Sequence, residues 1–97
     1  MSKPIKNLQL FNDLCAVEDT LIKRGWCKDT AIDIGGSVCL MKAASLVTES
    51  YPRLDAVDKA LRSVIGRCPV RFNDHSKTTF NDILAKLREA REVLVSS

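Results

Sequence analysis

The sequence is poor in the residues that mark several protein classes. Its 97 residues include three prolines, four glycines and one histidine, and only 5% are aromatic. So little proline and glycine argues against collagen-like and low-complexity chains, while a hydrophobic fraction of 45% is ordinary for a globular domain. A chain of this length buries roughly 60 to 65% of its unfolded surface, which allows one core. We therefore predict a single helical domain over residues 1–97.

Long hydrophobic runs are also missing. The opening residues, MSKPIKNLQL, lack the apolar run of about 7 to 15 residues found in signal peptides, and no stretch approaches the ~18 needed to span a bilayer. We expect a soluble cytoplasmic protein without a membrane partner. In that reducing compartment Cys15, Cys27, Cys39 and Cys68 are expected to be free thiols, with Cys15 in the core.

The spacing of apolar residues predicts an all-α fold, a compact single-domain bundle of about four helices. Apolar positions recur at intervals of three and four over residues 7–24, 38–50 and 54–65, and over a final helix from Phe80 to about Leu94. Thr79 is predicted to cap the final helix, with Asp82 closing a capping box. Residues 68–72 are predicted to be extended.

Residues 26–37 allow two interpretations. Gly35-Gly36 suits the two-residue turn of a small β-hairpin around residues 30–40. Alternatively the glycines lie in a loop, and Ser37 caps the second helix. We prefer the loop followed by a helix, and the hairpin stays open as the alternative.

Each of the three phenylalanines is followed by Asn-Asp, at residues 11–13, 72–74 and 80–82. The irregular spacing fits no repeat architecture. The first copy falls inside a helix and the last begins one. The middle copy is predicted to hold a turn through the side chain of Asn73 or Asp74, with Phe72 pointing inward. Its functional alternative is a polar partner-binding surface.

Several short motifs resemble an uncharacterised family of short bacterial and phage proteins. They are Gly25-Trp26-Cys27, Val38-Cys39-Leu40 followed by Ala43, and Phe72-Asn73-Asp74 followed by Thr79 and a closing helix. The sequence departs from that family's pattern by having Lys42 where the pattern has glycine, Phe72 for the usual tryptophan and Thr78 for arginine. The resemblance implies a compact helical domain and assigns no activity.

Metal binding and catalysis have little support in the residue pattern. Cys27, Cys39, Cys68 and His75 all fall in or beside predicted loops and would suit a zinc tetrahedron. However, the sequence has no Cys-x-x-Cys or His-x3-His pair. An enzyme would depend on the single histidine, and no phosphate loop or cofactor fingerprint is present. We expect no cofactor and no catalytic residue, and zinc binding remains an alternative.

Weak nucleic-acid binding is a second alternative. The net charge is +3, and four basic residues gather around the end of the third helix and in the loop after it, with Phe72 and His75 among them: Arg62, Arg67, Arg71 and Lys77. Such a cluster can neutralise phosphates. The twelve acidic residues in the same chain favour an ordinary solvated surface.

The leading hypothesis is a small protein-interaction module, in a regulatory or phage-encoded setting. Such a module needs a stable helical scaffold and one exposed patch. Large aromatic residues near helix ends often anchor interfaces, which selects Trp26 and Tyr51. The polar surface around the middle Phe-Asn-Asp adds Arg71, Asp74 and His75. The competing interpretation of Trp26 is that it closes one end of the bundle.

Overall fold

Helices form most of the described chain. In the computed structural model, which describes residues 4–95, they are α1 (Leu8–Arg24), α2 (Leu40–Val47), α3 (Tyr51–Ile65), α4 (Pro69–Asp74) and α5 (Phe80–Val93). The all-α fold class is confirmed, with five helices over this range where about four were predicted. None of these helices is long and apolar enough to cross a membrane.

Local hydrogen bonds set the ends of α1 and α5. Asn7 caps α1 by accepting the Leu10 backbone N–H, and Gly25 ends the helix at φ 90°. A Cβ at Gly25 would also lie only 2.6 Å from Ser37 Oγ, so glycine suits both the backbone angle and the close approach of the loop. The predicted capping box of Thr79 and Asp82 is present at α5.

The boundaries of α2 and α3 differ from those predicted. Cys39, not Ser37, caps α2, its sulfur accepting the Lys42 backbone N–H at 3.3 Å. α3 already begins at Tyr51, because Ser50 supplies its cap and Pro52 lies in the first turn, where a missing N–H costs nothing. The proline therefore starts α3 and does not mark the end of α2.

The extended conformation predicted for residues 68–72 is wrong. Residues 69–72 lie in α4, which begins at Pro69. The proline ring fixes φ at a value that suits a helix. Six residues are too few for a hydrophobic period to be recognised, so the sequence shows no helical pattern here.

The core lies between α1, α2, α3 and α5. Its fully buried members come from all four helices and from the loop before α2, with Ala90 almost as buried: Leu14, Val17, Leu21, Val38, Leu40, Ala43, Ala44, Val57, Leu61, Ile83 and Leu87. α4 packs against α2 and α3. Cys15, predicted in the core, is only half-buried.

The segment between α1 and α2 is a loop organised around Val38, with no sheet among residues 4–95. Val38 forms a parallel bridge with Trp26 and an antiparallel bridge with Ile32. Gly35-Gly36 lies in the turn between, where Asp33 Oδ1 accepts the Ser37 N–H. Of the β-hairpin considered as an alternative, only the antiparallel bridge between Ile32 and Val38 is present. We call residues 25–39 the crossing loop.

Candidate functional site

A buried asparagine joins α4 to the crossing loop. Asn73 is fully buried. Its Oδ1 accepts hydrogen bonds from Trp26 Nε1 at 2.6 Å and the Leu40 N–H at 3.0 Å. Its Nδ2 donates to the Cys27 carbonyl at 3.1 Å and to Asp74 Oδ1 at 2.9 Å. All four positions of the amide are therefore used. We call Asn73 and these four partners the Asn73 hub.

Trp26 extends the hub to the start of α5. Its ring stacks on Phe80 with centroids 5.8 Å apart and planes 11° from parallel. Lys28 Nζ lies 5.4 Å from the Trp26 ring centroid and donates to the His75 carbonyl at 2.6 Å. The crossing loop is consequently fixed to the residue that follows α4 and to the start of α5.

Asp74 makes a second contact with the crossing loop, at Asp29. Its Oδ1 accepts the Asp29 backbone N–H at 2.8 Å in addition to Asn73 Nδ2. Asp29 has φ 66°, a left-handed conformation that Asn and Asp tolerate better than other non-glycine residues. The Asp74 carboxylate is therefore held in one orientation.

An open groove of about 460 Å³ lies beside the hub, between the crossing loop, the start of α2 and α4. Its lining combines aliphatic and sulfur-containing side chains with charged ones: Asp29, Thr30, Ala31, Cys39, Met41, Lys42, Val70 and Asp74. We call it the α2–α4 groove. Val70 is 45% exposed there. The groove thus offers accessible apolar surface on walls that hydrogen bonds hold in place.

The cysteines and histidine of the zinc alternative do not form a ligand set. Among residues 4–95, no group of three or more His, Cys, Asp or Glu side chains is placed to hold a metal. Cys27 Sγ donates to the carbonyls of Thr30 and Ser37, and His75 Nδ1 accepts the Lys77 N–H.

Two thiols differ in their electrostatic environment. The pKa of Cys68 is lowered, chiefly because the Arg71 backbone N–H stabilises the thiolate, with Val70 N–H and the Arg62 guanidinium adding to this. Burial raises the pKa of Cys27, and the Asp33 carboxylate raises it further. Cys68 is therefore the more nucleophilic of the two.

The basic residues predicted to contact nucleic acid are all exposed, in and around α4. Arg62 is paired with Asp58 at 2.9 Å. Arg67, Arg71 and Lys77 form no ion pair with any residue in the range 4–95. Three cations in this region are thus available to solvent.

The structure gathers some of the predicted partner-binding residues and separates others. Trp26 and Asp74 belong to the hub. The His75 carbonyl accepts a hydrogen bond from Lys28, whose ammonium group lies over the Trp26 ring. Arg71 is exposed on α4. Tyr51 is 78% exposed at the start of α3 and takes part in none of the hub contacts.

A family model matches residues 10–93, nearly the whole chain. The chain belongs to DUF6197, a family of unknown function. The expectation of an uncharacterised family is confirmed. Searches of curated proteins and of solved structures gave no match.

The motifs that suggested the family meet at the hub of this DUF6197 chain. Trp26 and Cys27 come from the first motif, Leu40 from the second, and Asn73 and Asp74 from the third. Thr79 caps α5 next to Phe80, on which Trp26 stacks. Motifs far apart in the sequence therefore build one structural unit.

Sequence reasoning missed most of the groove in this DUF6197 chain. Met41 and Lys42 fall in the predicted second helix, Val70 in the stretch predicted to be extended, and residues 29–31 in the segment that allows a loop or a hairpin. Asp74 is the lining residue that the sequence indicated as part of a partner-binding surface.

Proposed function

We propose that this chain is a small protein-interaction module that binds a segment of a partner protein in the α2–α4 groove. The observation that carries the proposal is the combination of accessible apolar side chains with a rigid frame. Ala31, Met41 and Val70 line the groove, and the Asn73 hub fixes the loop and helix that carry them. A site formed in advance loses little conformational entropy when a partner binds.

The chemistry of the groove favours binding over catalysis. Its one thiol, Cys39, is buried and already engaged as the acceptor of the Lys42 N–H. The histidine lies outside the lining. All four cysteines are free thiols, which fits a reducing compartment, and we propose the cytoplasm as the place of binding.

Selection of binders from a displayed library of short random peptides tests this function. The wild-type chain should enrich peptides that the Val70→Asp variant does not bind. A carboxylate at position 70, among the apolar side chains of the groove, opposes the burial of an aliphatic peptide side chain. Val93→Asp is the matched control, since Val93 is also an exposed valine on a helix but lies outside the groove. Failure to enrich any peptide, or equal loss with both variants, would contradict the proposal.

A second candidate function is weak nucleic-acid binding by the exposed cations near α4. The supporting observation is that Arg67, Arg71 and Lys77 have no acidic partner within residues 4–95. A gel-shift assay with mixed nucleic acids should then show binding that falls steeply with salt. It should also fall when these three residues become Gln, and persist in Lys59→Gln, whose lysine pairs with Asp55.

A further inference from the structure

We propose that the partner segment carries a lysine or arginine close to an aliphatic residue. In this arrangement the cation lies against Asp29 and Asp74, and the aliphatic side chain lies against Met41 and Val70. The inference rests on the proposed function and adds the chemistry of the bound segment to it.

The groove is lined by two carboxylates that form no ion pair with Lys, Arg or His of the described range. They belong to Asp29 and Asp74. Asp74 uses Oδ1 for its two hydrogen bonds, from the Asp29 N–H and Asn73 Nδ2. Its Oδ2 has no partner among the described hydrogen bonds, so an oriented acceptor remains for an incoming cation.

The groove is also lined by one cation. Lys42 lies in the first turn of α2, lines the groove, and forms no ion pair within residues 4–95. The apolar side chains of Ala31, Met41 and Val70 line the same groove. Its lining therefore combines two carboxylates, one cation and apolar surface, which a partner of matching charge can complement.

Charge complementarity therefore selects the occupant. A purely apolar segment would leave both carboxylates unpaired beside buried surface, which is costly. An acidic segment would be repelled by Asp29 and Asp74 and would find only Lys42. A basic residue can pair with the two carboxylates, and the aliphatic residue next to it can cover the apolar lining of the groove.

The test uses peptides from the library selection, resynthesised with the basic residue or with Gln in its place. Asp29→Asn removes one carboxylate while keeping a residue that tolerates φ 66°. Asp29 contributes only its backbone N–H to the contact with Asp74, so this substitution leaves the Asn73 hub intact. Lys42→Met is the matched control, because it removes a charge of the opposite sign from the same groove and keeps an unbranched side chain.

We expect the selected peptides to be enriched in Lys or Arg beside Leu, Ile, Val or Met. Asp29→Asn should weaken the basic peptide about three-fold, more at low salt, and leave the Gln peptide unchanged. Lys42→Met should not weaken the basic residue's contribution. Selected peptides that bind the groove without a basic residue, or equal weakening of both peptides by Asp29→Asn, would overturn this inference and leave the proposed function standing.

Discussion

At the scale of single residues, the same tripeptide does three different things in this protein. In α1, Asp13 is almost fully buried and forms a bidentate ion pair with Arg53 of α3. Arg53 Nη2 lies 2.6 Å from Asp13 Oδ1, and Arg53 Nε lies 3.1 Å from Asp13 Oδ2. In α4, Asn73 occupies the centre of the hub. In α5, Asp82 closes the capping box with Thr79. Tertiary contacts decide what the first two copies contribute, whereas the local sequence decides the third, because Thr79 lies three residues before Asp82.

Asn73→Ala should destabilise the fold strongly. The change leaves the Leu40 N–H, the Trp26 indole N–H and the Cys27 carbonyl without their partner. An unsatisfied buried group costs about 1 to 3 kcal/mol. The Leu40 contact is buried and those of Trp26 and Cys27 are partly buried, so we expect a loss of roughly 2 to 4 kcal/mol in the free energy of unfolding, measured by urea denaturation.

The chain supplies its own control for that experiment. Asn12 has the same neighbours in the sequence, Phe before and Asp after, but is exposed on α1. Asn12→Ala should leave stability unchanged or raise it slightly, because alanine is the better helix former. Similar urea midpoints for the Asn12 and Asn73 variants would show that the hub does not hold the fold together.

Thiol reactivity should follow the two opposite pKa shifts. Cys68 has a lowered pKa and is half-buried, so a larger fraction is thiolate at mildly alkaline pH than for Cys27, whose pKa is raised. Peptide mapping after brief alkylation should find Cys68 modified before Cys27, with the difference shrinking as the pH rises above both values. Faster labelling of Cys27 would contradict the placement of both thiols.

At the scale of elements, the long helices and the short one depend on different information. α1 and α5 have apolar stripes and capping residues that the sequence shows directly. α4 has only six residues, and its helical state depends on Pro69 and on the burial of Asn73. The three motifs of the hub were visible in the sequence, but their meeting was not, since Trp26 and Asn73 are separated by 47 residues.

The groove was unpredictable for the same physical reason. Its residues come from three segments of the chain. Hydrogen bonds of the Asn73 side chain with the Leu40 N–H and the Cys27 carbonyl hold these segments together. Periodicity reports which face of one helix is buried. It carries no information on which helix covers that face, and so it cannot show a space left between two elements.

α5 should be essential for the fold. Leu87 is fully buried in the core that α5 shares with α1 and α3. Leu87→Ala should therefore lower the free energy of unfolding by about 2 to 5 kcal/mol, because the cavity is only partly refilled. Arg88→Ala, at the adjacent exposed position, should change it little. An unaltered urea midpoint for Leu87→Ala would place this residue outside the core.

At the scale of the whole molecule, the α2–α4 groove lies on the surface of a compact helical core. The described chain has a radius of gyration of 12.9 Å, close to the value of about 13 Å expected for a compact domain of this size. The Asn73 hub fixes the crossing loop and α4 to that core. The α2–α4 groove lies beside the hub, and its charged side chains form no ion pair within residues 4–95.

Site-specific photo-crosslinking in living cells tests the central claim most directly, that this chain works by binding a partner in the α2–α4 groove. A photoreactive phenylalanine analogue at position 70 should give a discrete adduct whose crosslinked peptides map to one segment of one protein. The same analogue at position 93, another exposed valine, should not. Equal adducts from both positions, or none from position 70, would contradict the account.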